Sequence, residues 1–495
     1  MLTLYHEKEE LNNFNLRKIS KKERDMRLKS LIILFSILVL GCSNNQVKEE
    51  KLVTIQEERE YLKKYGETLS LEEILEIAKE RNLDLRIKGL EREIATLDKK
   101  IAFGNFLPTI TLGGSYTRLN DEIDIEMDLN MPAISIPGLG SLSLPSSLQT
   151  KLVDKSFYTT GVAAQIPIFV PSTWYLYSAM KKGENISQLA ESLANKMLQL
   201  QVMSEYFYIL ALESESETLN NSLKSTLELE KKVETSLKVD GVLEWELQKV
   251  QAFVESQRIA LNKNQRDLRI AKMALKRTLN LNLQEDIEIE KIEVDEVSLP
   301  PLEDCVYKAL NGNEILQITE KGKEISEDLK KIAITNFLPK IVLGGGYINN
   351  SNQTLVDPDF LYGNVTGVIS IFNGFKNINE YKKAVRREKI GELTLEKQFM
   401  TAVLEVTKAY ENVKTSGELL RMAKLNYEAE KGKLNQRKVE RKVEMIGDEE
   451  YYQALAEYNE ALSLKEKVQY QYEMALGALS IAMGESPFRG GKLGI

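Results

Sequence analysis

The sequence is poor in the side chains that most active sites use. Its 495 residues include one histidine, His6, and two cysteines, Cys42 and Cys305. So few of these residues leave little from which to build a His/Cys metal site or a Ser-His or Cys-His nucleophile. There is also no glycine loop that joins a strand to a helix around a phosphate, and no basic patch interleaved with aromatics. These absences argue against an enzyme and a nucleic-acid-binding protein, and we expect no catalytic residue, metal site or cofactor.

A long internal duplication organises the chain. Residues 71–117 align without a gap with residues 302–348 at a constant offset of 231, and 21 of the 47 positions are identical. Each copy contains the sequence NFLP, followed by a segment in which apolar residues alternate with small or polar ones. Proline lacks a backbone donor and pushes the residue before it into the extended region, so a helix is expected to stop just before Pro108 and Pro339. Each copy therefore predicts one helix, a break and a two-faced strand.

Each break is followed by a predicted strand pair and a pair of long helices. The strands are expected at about 109–118 and 157–169, and again at about 340–348 and 361–372, with loops at 119–155 and 349–360. The repeat helices are expected at about 71–104 and 302–336. Apolar residues at heptad spacing predict two helices of nearly seventy residues, with reversals at 239–241 and 444–448. A helix of that length is on the order of 100 Å long, so we expect a coiled-coil layer rather than a compact domain.

Aromatic residues mark the ends of the first return strand, among them Phe157, Tyr158, Phe169 and Trp174. Aromatics at strand ends are typical of a β-barrel at the membrane interfaces. The other interpretation is a soluble hairpin with a packed aromatic corner.

The start of the chain resembles a lipoprotein signal. Positive charge precedes an apolar core at residues 31–40, which is too short to span a bilayer as a helix, and Val39-Leu40-Gly41-Cys42 resembles the bacterial lipobox. We expect acylation of Cys42 and sorting to the outer membrane, with a buried thiol at the end of an apolar helix as the alternative. Met26 is a second candidate start besides Met1, a hypothesis that sequencing the precursor would test. Cys305 is predicted to be a small core residue.

Four strands of about ten residues have the length needed to cross an outer membrane. Four strands cannot close into a barrel, and lipid does not tolerate open sheet edges. We therefore expect three copies to form a twelve-stranded transmembrane β-barrel, with the long helices continuing it as a helical tube. The fold class is mixed α and β, mostly α, with a two-fold internal repeat.

The order of helix, Leu-Pro break, strand pair and long helical hairpin, present twice behind a lipobox, resembles the TolC family of outer-membrane efflux proteins. The resemblance covers roughly residues 70–484, and the doubled break at Pro108 and Pro339 is its most specific part. The segments 166–169 (IPIF) and 369–372 (ISIF) look like the family's second-strand motif. The resemblance implies a homotrimer with a β-barrel in the outer membrane and an α-helical barrel in the periplasm. It also implies docking to a periplasmic adaptor and an inner-membrane pump.

The family's tip motif places a glycine six residues before an acidic residue, with a small residue four beyond it. Glu246 and Glu450 look like the acidic positions, Ala454 like the small one, and Val250 is the counterpart of Ala454.

The glycine positions of that motif fall on Asp240 and Glu444, while the glycines themselves stand at Gly241 and Gly447. The candidate gate and adaptor tip comprises Asp240, Gly241, Glu244, Glu246, Glu444, Gly447, Asp448, Glu449 and Glu450. In a threefold assembly the carboxylates that face the lumen would form acidic rings that concentrate cations. The alternative is ordinary solvated charge at a turn.

The leading interpretation is thus a passive outer-membrane conduit, and the alternative is a lipid-anchored coiled-coil scaffold that binds partners through exposed helices. A periplasmic enzyme is a third interpretation for which no group of residues speaks. The cargo and the class of pump are not encoded in any motif. The expected divisions are a leader and signal (1–41), a lipidated tether (42–70), a first repeat (71–282), a linker (283–301), a second repeat (302–484) and a tail (485–495).

Overall fold

The computed structural model describes residues 68–128, 134–136, 140–142, 147–238, 241, 243–284, 287–291, 298–352, 358–443, 445–489 and 492–493. The predicted signal with Cys42 lies outside these residues, as do Asp240 and Glu444. The described chain is mostly helical. Among its helices, none combines the length and the apolar character that a membrane-crossing helix requires.

Eight helices of the described chain form two series of four. The first series is α1 (Leu71–Arg81), α2 (Leu83–Gly104), α3 (Pro171–Leu237) and α4 (Glu244–Thr278). The second series is α5 (Leu302–Gly312), α6 (Glu314–Thr335), α7 (Lys376–Lys442) and α8 (Asp448–Ala482). Corresponding helices have the same lengths, 11, 22, 67 and 35 residues. The two helices of nearly seventy residues that the heptads predict are α3 and α7.

Each predicted repeat helix is in fact two helices, because an asparagine interrupts it. Asn82 and Asn313 have extended ψ angles of 127° and 118°, and each side-chain oxygen accepts the N–H of the third residue that follows. Each asparagine is therefore the N-cap of the next helix. Its side-chain amide also donates to a carbonyl at the end of a hairpin helix, that of Thr278 for Asn82 and that of Ala482 for Asn313. Both asparagines thus fix a short helix against the foot of a long hairpin.

The helices before the two proline breaks end at Gly104 and Thr335, within one residue of the predicted ends at 104 and 336. A short hydrogen-bonded turn follows, in which the Leu107 N–H donates to the Gly104 carbonyl at 3.0 Å and the Leu338 N–H to the Thr335 carbonyl at 3.0 Å. The strands then begin directly after Pro108 and Pro339.

The four long strands form one antiparallel sheet. They are β2 (Thr109–Arg118), β7 (Ser156–Phe169), β9 (Lys340–Asn350) and β10 (Asp359–Val368), in the order β10-β9-β7-β2. The second return strand was predicted at 361–372 but ends at Val368, so the ISIF segment lies beyond it and Ile371 is 92% exposed. The sheet edges are β2 and β10.

Shorter strands lie outside this sheet. The predicted loop 119–155 contains β3 (Ile123–Asp128), β4 (Ile134–Ile136), β5 (Gly140–Leu142) and β6 (Ser147–Val153), with β3 paired to β6 and β4 to β5. In β3 an apolar residue at every second position, Ile123, Ile125 and Met127, is the period of a strand, which the loop prediction overlooked. Two parallel short strands, β1 (Thr68–Leu69) and β8 (Glu288–Ile289), join the start of the described chain to the link between the halves. The last pair is β11 (Phe488–Arg489) with β12 (Lys492–Leu493).

The long helices form a single layer with two free edges. Towards the sheet, α2 packs against α3, α3 against α6, and α6 against α7. Away from the sheet, α4 packs against α3, α3 against α8, and α8 against α7. The layer therefore has α2 and α4 along one edge and α7 along the other.

One hydrophobic core lies where α5 covers α7 and α8. It contains Cys305 and Ala309 of α5 with Val413 of α7 and Leu476 of α8, all fully or almost fully buried. The prediction that Cys305 is a core residue is confirmed, and burial raises the pKa of its thiol.

Candidate functional site

The first hairpin tip joins α3 to α4. The Gly241 N–H donates to the Ser236 carbonyl at 2.9 Å, which closes the end of α3. The Leu243 N–H donates to Glu246 Oε2 at 2.9 Å, and the Glu246 N–H returns to the Leu243 carbonyl at 3.0 Å. A carboxylate in this position caps free N–H groups and faces the positive end of the helix dipole. Glu246 therefore stabilises the start of α4, and Glu244 lies exposed in the same first turn.

The second hairpin tip, between α7 and α8, closes in the same way. The Met445 N–H donates to the Glu440 carbonyl at 2.9 Å. Since α4 begins at Glu244 and α8 at Asp448, Met445 corresponds to Gly241, and Gly447 is the residue directly before its helix. The two tip glycines thus hold different places in the two turns, and neither has a positive φ angle.

An arginine joins the two helices of the second tip. Arg437 Nη1 of α7 lies 2.8 Å from Glu440 Oε2 and 3.7 Å from Glu450 Oε2 of α8. The hydrogen bond from Gln436, and then that from Arg437, hold the pKa of Glu440 below its ordinary value. Glu450, predicted from the tip motif, is therefore an interhelical contact.

A second arginine lies against aromatic rings at the same tip. The Arg441 guanidinium carbon is 4.5 Å from the Tyr451 ring centroid and 5.2 Å from that of Tyr452. Such contacts are typical cation–π pairs. The sequence prediction missed both arginines. The pattern that indicates them is a basic end of α7 followed, after the turn, by an acidic and aromatic start of α8.

Apolar side chains are exposed at both tips. Leu243 and Trp245 lie in solvent at the first tip, and Val443 and Met445 at the second. Exposed apolar groups that cluster at the end of a molecule are typical of an interaction surface. The prediction concentrated on carboxylates and missed these residues.

The predicted break at Pro108 lies beside an aromatic cluster. Phe103 and Phe106 of the helix end pack near Trp174 and Tyr177 of α3, and Phe169 of β7 contacts Trp174, with ring centroids 5.9–6.4 Å apart. Phe169 and Trp174, at one end of β7, therefore belong to a packed corner that fixes the sheet against the helical layer, whereas Tyr158 at the other end is exposed.

The sheet has one apolar and one small or polar face. Cross-strand neighbours place the apolar residues side by side, and many of them are exposed: Ile110, Leu112, Tyr116, Tyr158, Val162, Leu361 and Val365. The other face carries mostly small or polar residues, Thr111, Gly113, Thr159, Gly161, Ala163, Gly344, Gly346 and Thr366, together with the larger Val342, Ile348, Phe360, Tyr362 and Val368 of β9 and β10. An exposed apolar face backed by small polar residues suits contact with lipid on one side and water on the other.

Two corresponding ion pairs align the sequences of the two halves. Lys99 Nζ lies 2.5 Å from Glu184 Oε2 across α2 and α3, and Lys330 Nζ lies 2.6 Å from Glu388 Oε1 across α6 and α7. The lysines are 231 positions apart and the glutamates 204 apart. The first offset relates the residues of α2 to those of α6, and the second relates the residues of α3 from Ser172 onwards to those of α7.

The seam between α3 and α6 has no counterpart within the chain. It is held by buried charges: Lys196 pairs with Glu314, and Lys182 Nζ lies 2.6 Å from Asp328 Oδ2.

The counterpart of Glu314 is Leu83 on the free edge of α2, and the counterpart of Lys196 is Met400 on the free edge of α7. Leu83 is 53% exposed and Met400 is 65% exposed. The rest of the α2 edge is an exposed apolar stripe of Ile87, Leu90, Ile94, Leu97 and Ile101, and α7 exposes Ile390, Leu393 and Leu404 near Met400.

Comparison with solved structures places this architecture. The Campylobacter jejuni CmeC outer membrane channel matches with a TM-score of 0.69 and 17% sequence identity, over 89% of this chain and 90% of that one. The open-state Neisseria gonorrhoeae MtrE outer membrane channel matches with a TM-score of 0.67 and 18% identity, over 85% of this chain and 90% of that one. The Vibrio cholerae outer membrane protein VceC matches with a TM-score of 0.65 and 12% identity, over 88% of this chain and 100% of that one.

The chain has the fold of an outer-membrane channel. It is the fold of the TolC-family channels, as the sequence resemblance implied. No family model and no curated protein matches the sequence. The channel fold is therefore evident from the three-dimensional architecture and not from overall sequence similarity.

Proposed function

We propose that the protein is the outer-membrane channel component of a tripartite efflux system. Three copies would form a passive conduit, with no chemistry and no cofactor, and the energy would come from an inner-membrane pump. The observation that carries the proposal is the pair of free edges, where the exposed Met400 and Leu83 stand in place of the Lys196–Glu314 pair of the internal seam.

The internal repeat makes the α2 edge and the α7 edge complementary. If a neighbouring copy repeated the contact between α3 and α6, its α7 would lie against α2 of this chain, with Met400 facing Leu83. Such a contact joins two different surfaces. It closes into a ring when the rotation that relates neighbouring copies is a whole fraction of 360°. Burial of exposed apolar side chains would stabilise the contact, at about 25 cal/mol per Å².

The number of strands in the sheet gives the number of copies in the proposed ring. Its edge strands, β2 and β10, lie on the same sides as α2 and α7, so a neighbour docked on the helices would bring β10 beside β2. Unpaired strand edges are not tolerated in lipid. Three copies of the four-stranded sheet would close a twelve-stranded barrel, with the apolar face towards lipid and the small residues lining the lumen.

The hairpin tips would contact the periplasmic adaptor. They combine the exposed apolar groups Leu243, Trp245, Val443 and Met445 with charged residues, which is the composition expected of a partner-binding surface. Acylation of Cys42 would anchor each copy at the periplasmic side of the outer membrane, with 42–70 as tether. The divisions at 71–282 and 302–484 would then be the two repeats that form the wall, joined by 283–301.

A cysteine pair across the proposed seam tests the ring. Leu83→Cys and Met400→Cys in one chain, treated with a short bifunctional thiol reagent, should give dimers and trimers on denaturing gels and no larger ladder. The same protein without reagent should form channels of uniform conductance in planar bilayers.

Tyr307→Cys with Met400→Cys is the matched control, because Tyr307 is at least as exposed as Leu83 but lies on α5 rather than on the α2 edge. A protein that stays monomeric and shows no conductance would favour the lipid-anchored scaffold instead.

A further inference from the structure

A cavity of about 650 Å³ lies on one face of α3, between α4 and α8. It is distant in sequence from both hairpin tips. The opposite face of α3 is covered: the buried Tyr206 donates its hydroxyl to the Glu290 carbonyl in the link between the halves. Tyr208, two residues further along, lines the cavity. The volume lies within the range of sites that bind small organic molecules.

A buried amide without partners lines this cavity. Asn264 of α4 is 4% exposed, and neither its side-chain oxygen nor its nitrogen has a hydrogen-bond partner. A buried amide that leaves both groups unpaired is costly for the fold. The chemical complement of such an amide is a group that carries a donor and an acceptor side by side, as another amide does.

The other end of the cavity is apolar and aromatic. The rings of Phe207 on α3 and Tyr470 on α8 are stacked, with centroids 5.2 Å apart and an interplanar angle of 17°. Met474, one turn further along α8, lines the same end. An aromatic or aliphatic body would pack against these groups.

The charges around the cavity balance. Lys263 and Lys467 line it together with Glu215 and Asp267. A ligand with a large net charge would meet repulsion from one pair, so a neutral or zwitterionic molecule fits best. A smaller cavity of about 180 Å³ adjoins it and shares Tyr208 and Asp267.

We propose that this cavity binds a small, neutral or zwitterionic amphiphile that carries an amide-like group. Asn264 pairs with that group, and the Phe207–Tyr470 stack holds the apolar body. The binding site depends only on one chain. Its role as a binding site for cargo rests on the proposed channel, in which the face of α3 opposite Tyr206 would line the lumen.

The competing explanation is that Asn264 only fixes the register of the α3–α4 hairpin and that water fills the cavity. Binding of dansylamide to the purified full-length protein in lipid nanodiscs separates the two. This probe is neutral and aromatic, its sulfonamide is both donor and acceptor, and its fluorescence rises in dry surroundings. We expect saturable binding above that of empty nanodiscs, about tenfold weaker in Asn264→Leu, which corresponds to the loss of a hydrogen-bonded pair.

Asn459→Leu is the matched control. Asn459 is also 4% exposed and its side-chain nitrogen also lacks a partner, but it does not line the cavity. Its replacement should leave binding unchanged. Ser463→Trp, which leaves Asn264 in place and puts a bulky ring into the cavity from α8, should abolish binding and keeps the test valid if Asn264→Leu does not fold.

Equal affinity in the wild type, Asn264→Leu and Ser463→Trp, or no saturable binding in the wild type, would overturn the proposal. Bilayer conductance is measured on the same preparation. Conductance without binding would refute only the proposed binding site. Binding without conductance would support the binding site and refute the proposed channel function.

Discussion

Glu473 of α8 is a carboxyl group enclosed in the helical wall. It is 1% exposed, and its Oε2 has no hydrogen-bond partner. Burial raises its pKa to about 8, against the opposing field of Lys424 on α7. It stands seven residues after Glu466 and fourteen after Asn459, each of which also has a buried polar atom without a partner. The wall thus contains a polar stripe at heptad spacing whose innermost acid is neutral at pH 7.

Glu473 should make stability fall as pH rises. Because folding raises its pKa above the ordinary 4.5, the folded chain holds an extra proton between the two values. The stabilisation is complete below about pH 4.5 and is lost as pH rises through about 8. We expect the free energy of unfolding in urea to drop by up to roughly 4 kcal/mol more in the wild type than in Glu473→Gln over this range. Glu460→Gln, an exposed acid on the same helix, should follow the wild type, and parallel pH curves for all three would contradict the prediction.

Gly484 is a position that only glycine can occupy. Its φ is +78°, and a Cβ there would lie 2.3 Å from the carbonyl carbon and oxygen of Gly312, at the junction of α5 and α6. Gly484→Ala should therefore destabilise the chain by roughly 2 kcal/mol or more, through strain and displacement of that junction. Gly183→Ala is the control, because that glycine lies inside α3 with open space around it and should gain up to about 1 kcal/mol. A neutral Gly484→Ala in urea unfolding would refute the close packing.

At the scale of elements, the sequence predicted what is periodic along the chain. Heptads placed α3 and α7 to within a few residues, and alternation placed β2 and β9. The missed break at Asn82 has a different origin, because it depends on a hydrogen bond to Thr278, 196 positions away.

The candidate tips show the same division between local and tertiary causes. The carboxylates were readable from the turn sequence. The contact of Glu450 with Arg437 forms only when the hairpin brings two helices together. The exposure of Trp245 and Met445 depends on which end of the helical layer they occupy. Both were therefore missed.

The Asn82 cap offers an element-scale test. Asn82→Ala removes the cap of α2 and leaves the Thr278 carbonyl without its donor, which should cost roughly 1–3 kcal/mol. Asn82→Ser keeps a cap oxygen and should recover part of that loss. Hydrogen exchange should accelerate in the first turn of α2 in the alanine variant. Equal losses for alanine and serine would show that capping contributes nothing at this position.

At the scale of the whole molecule, the proposed ring turns tip residues into rings of charge. Asp448→Asn with Glu449→Gln should lower the preference of the proposed channel for cations over anions, because two negative charges are removed from each copy of the tip. The measurement is the reversal potential in planar bilayers under a salt gradient. Glu303→Gln with Glu72→Gln, two acids of the short outer helices, is the control and should leave it unchanged. An unaltered reversal potential in the tip variant would assign those carboxylates to solvated turns.

The ion pair between Lys196 and Glu314 has a consequence for how the proposed ring could assemble incorrectly. Within a chain this pair holds the junction of the two halves, whereas at the chain's borders the corresponding residues are Met400 and Leu83. A second half joined to another second half would place the buried carboxylate of Glu314 against Met400, with no countercharge there. In the proposed ring the polar and apolar junctions would therefore alternate, and each first half would contact only second halves.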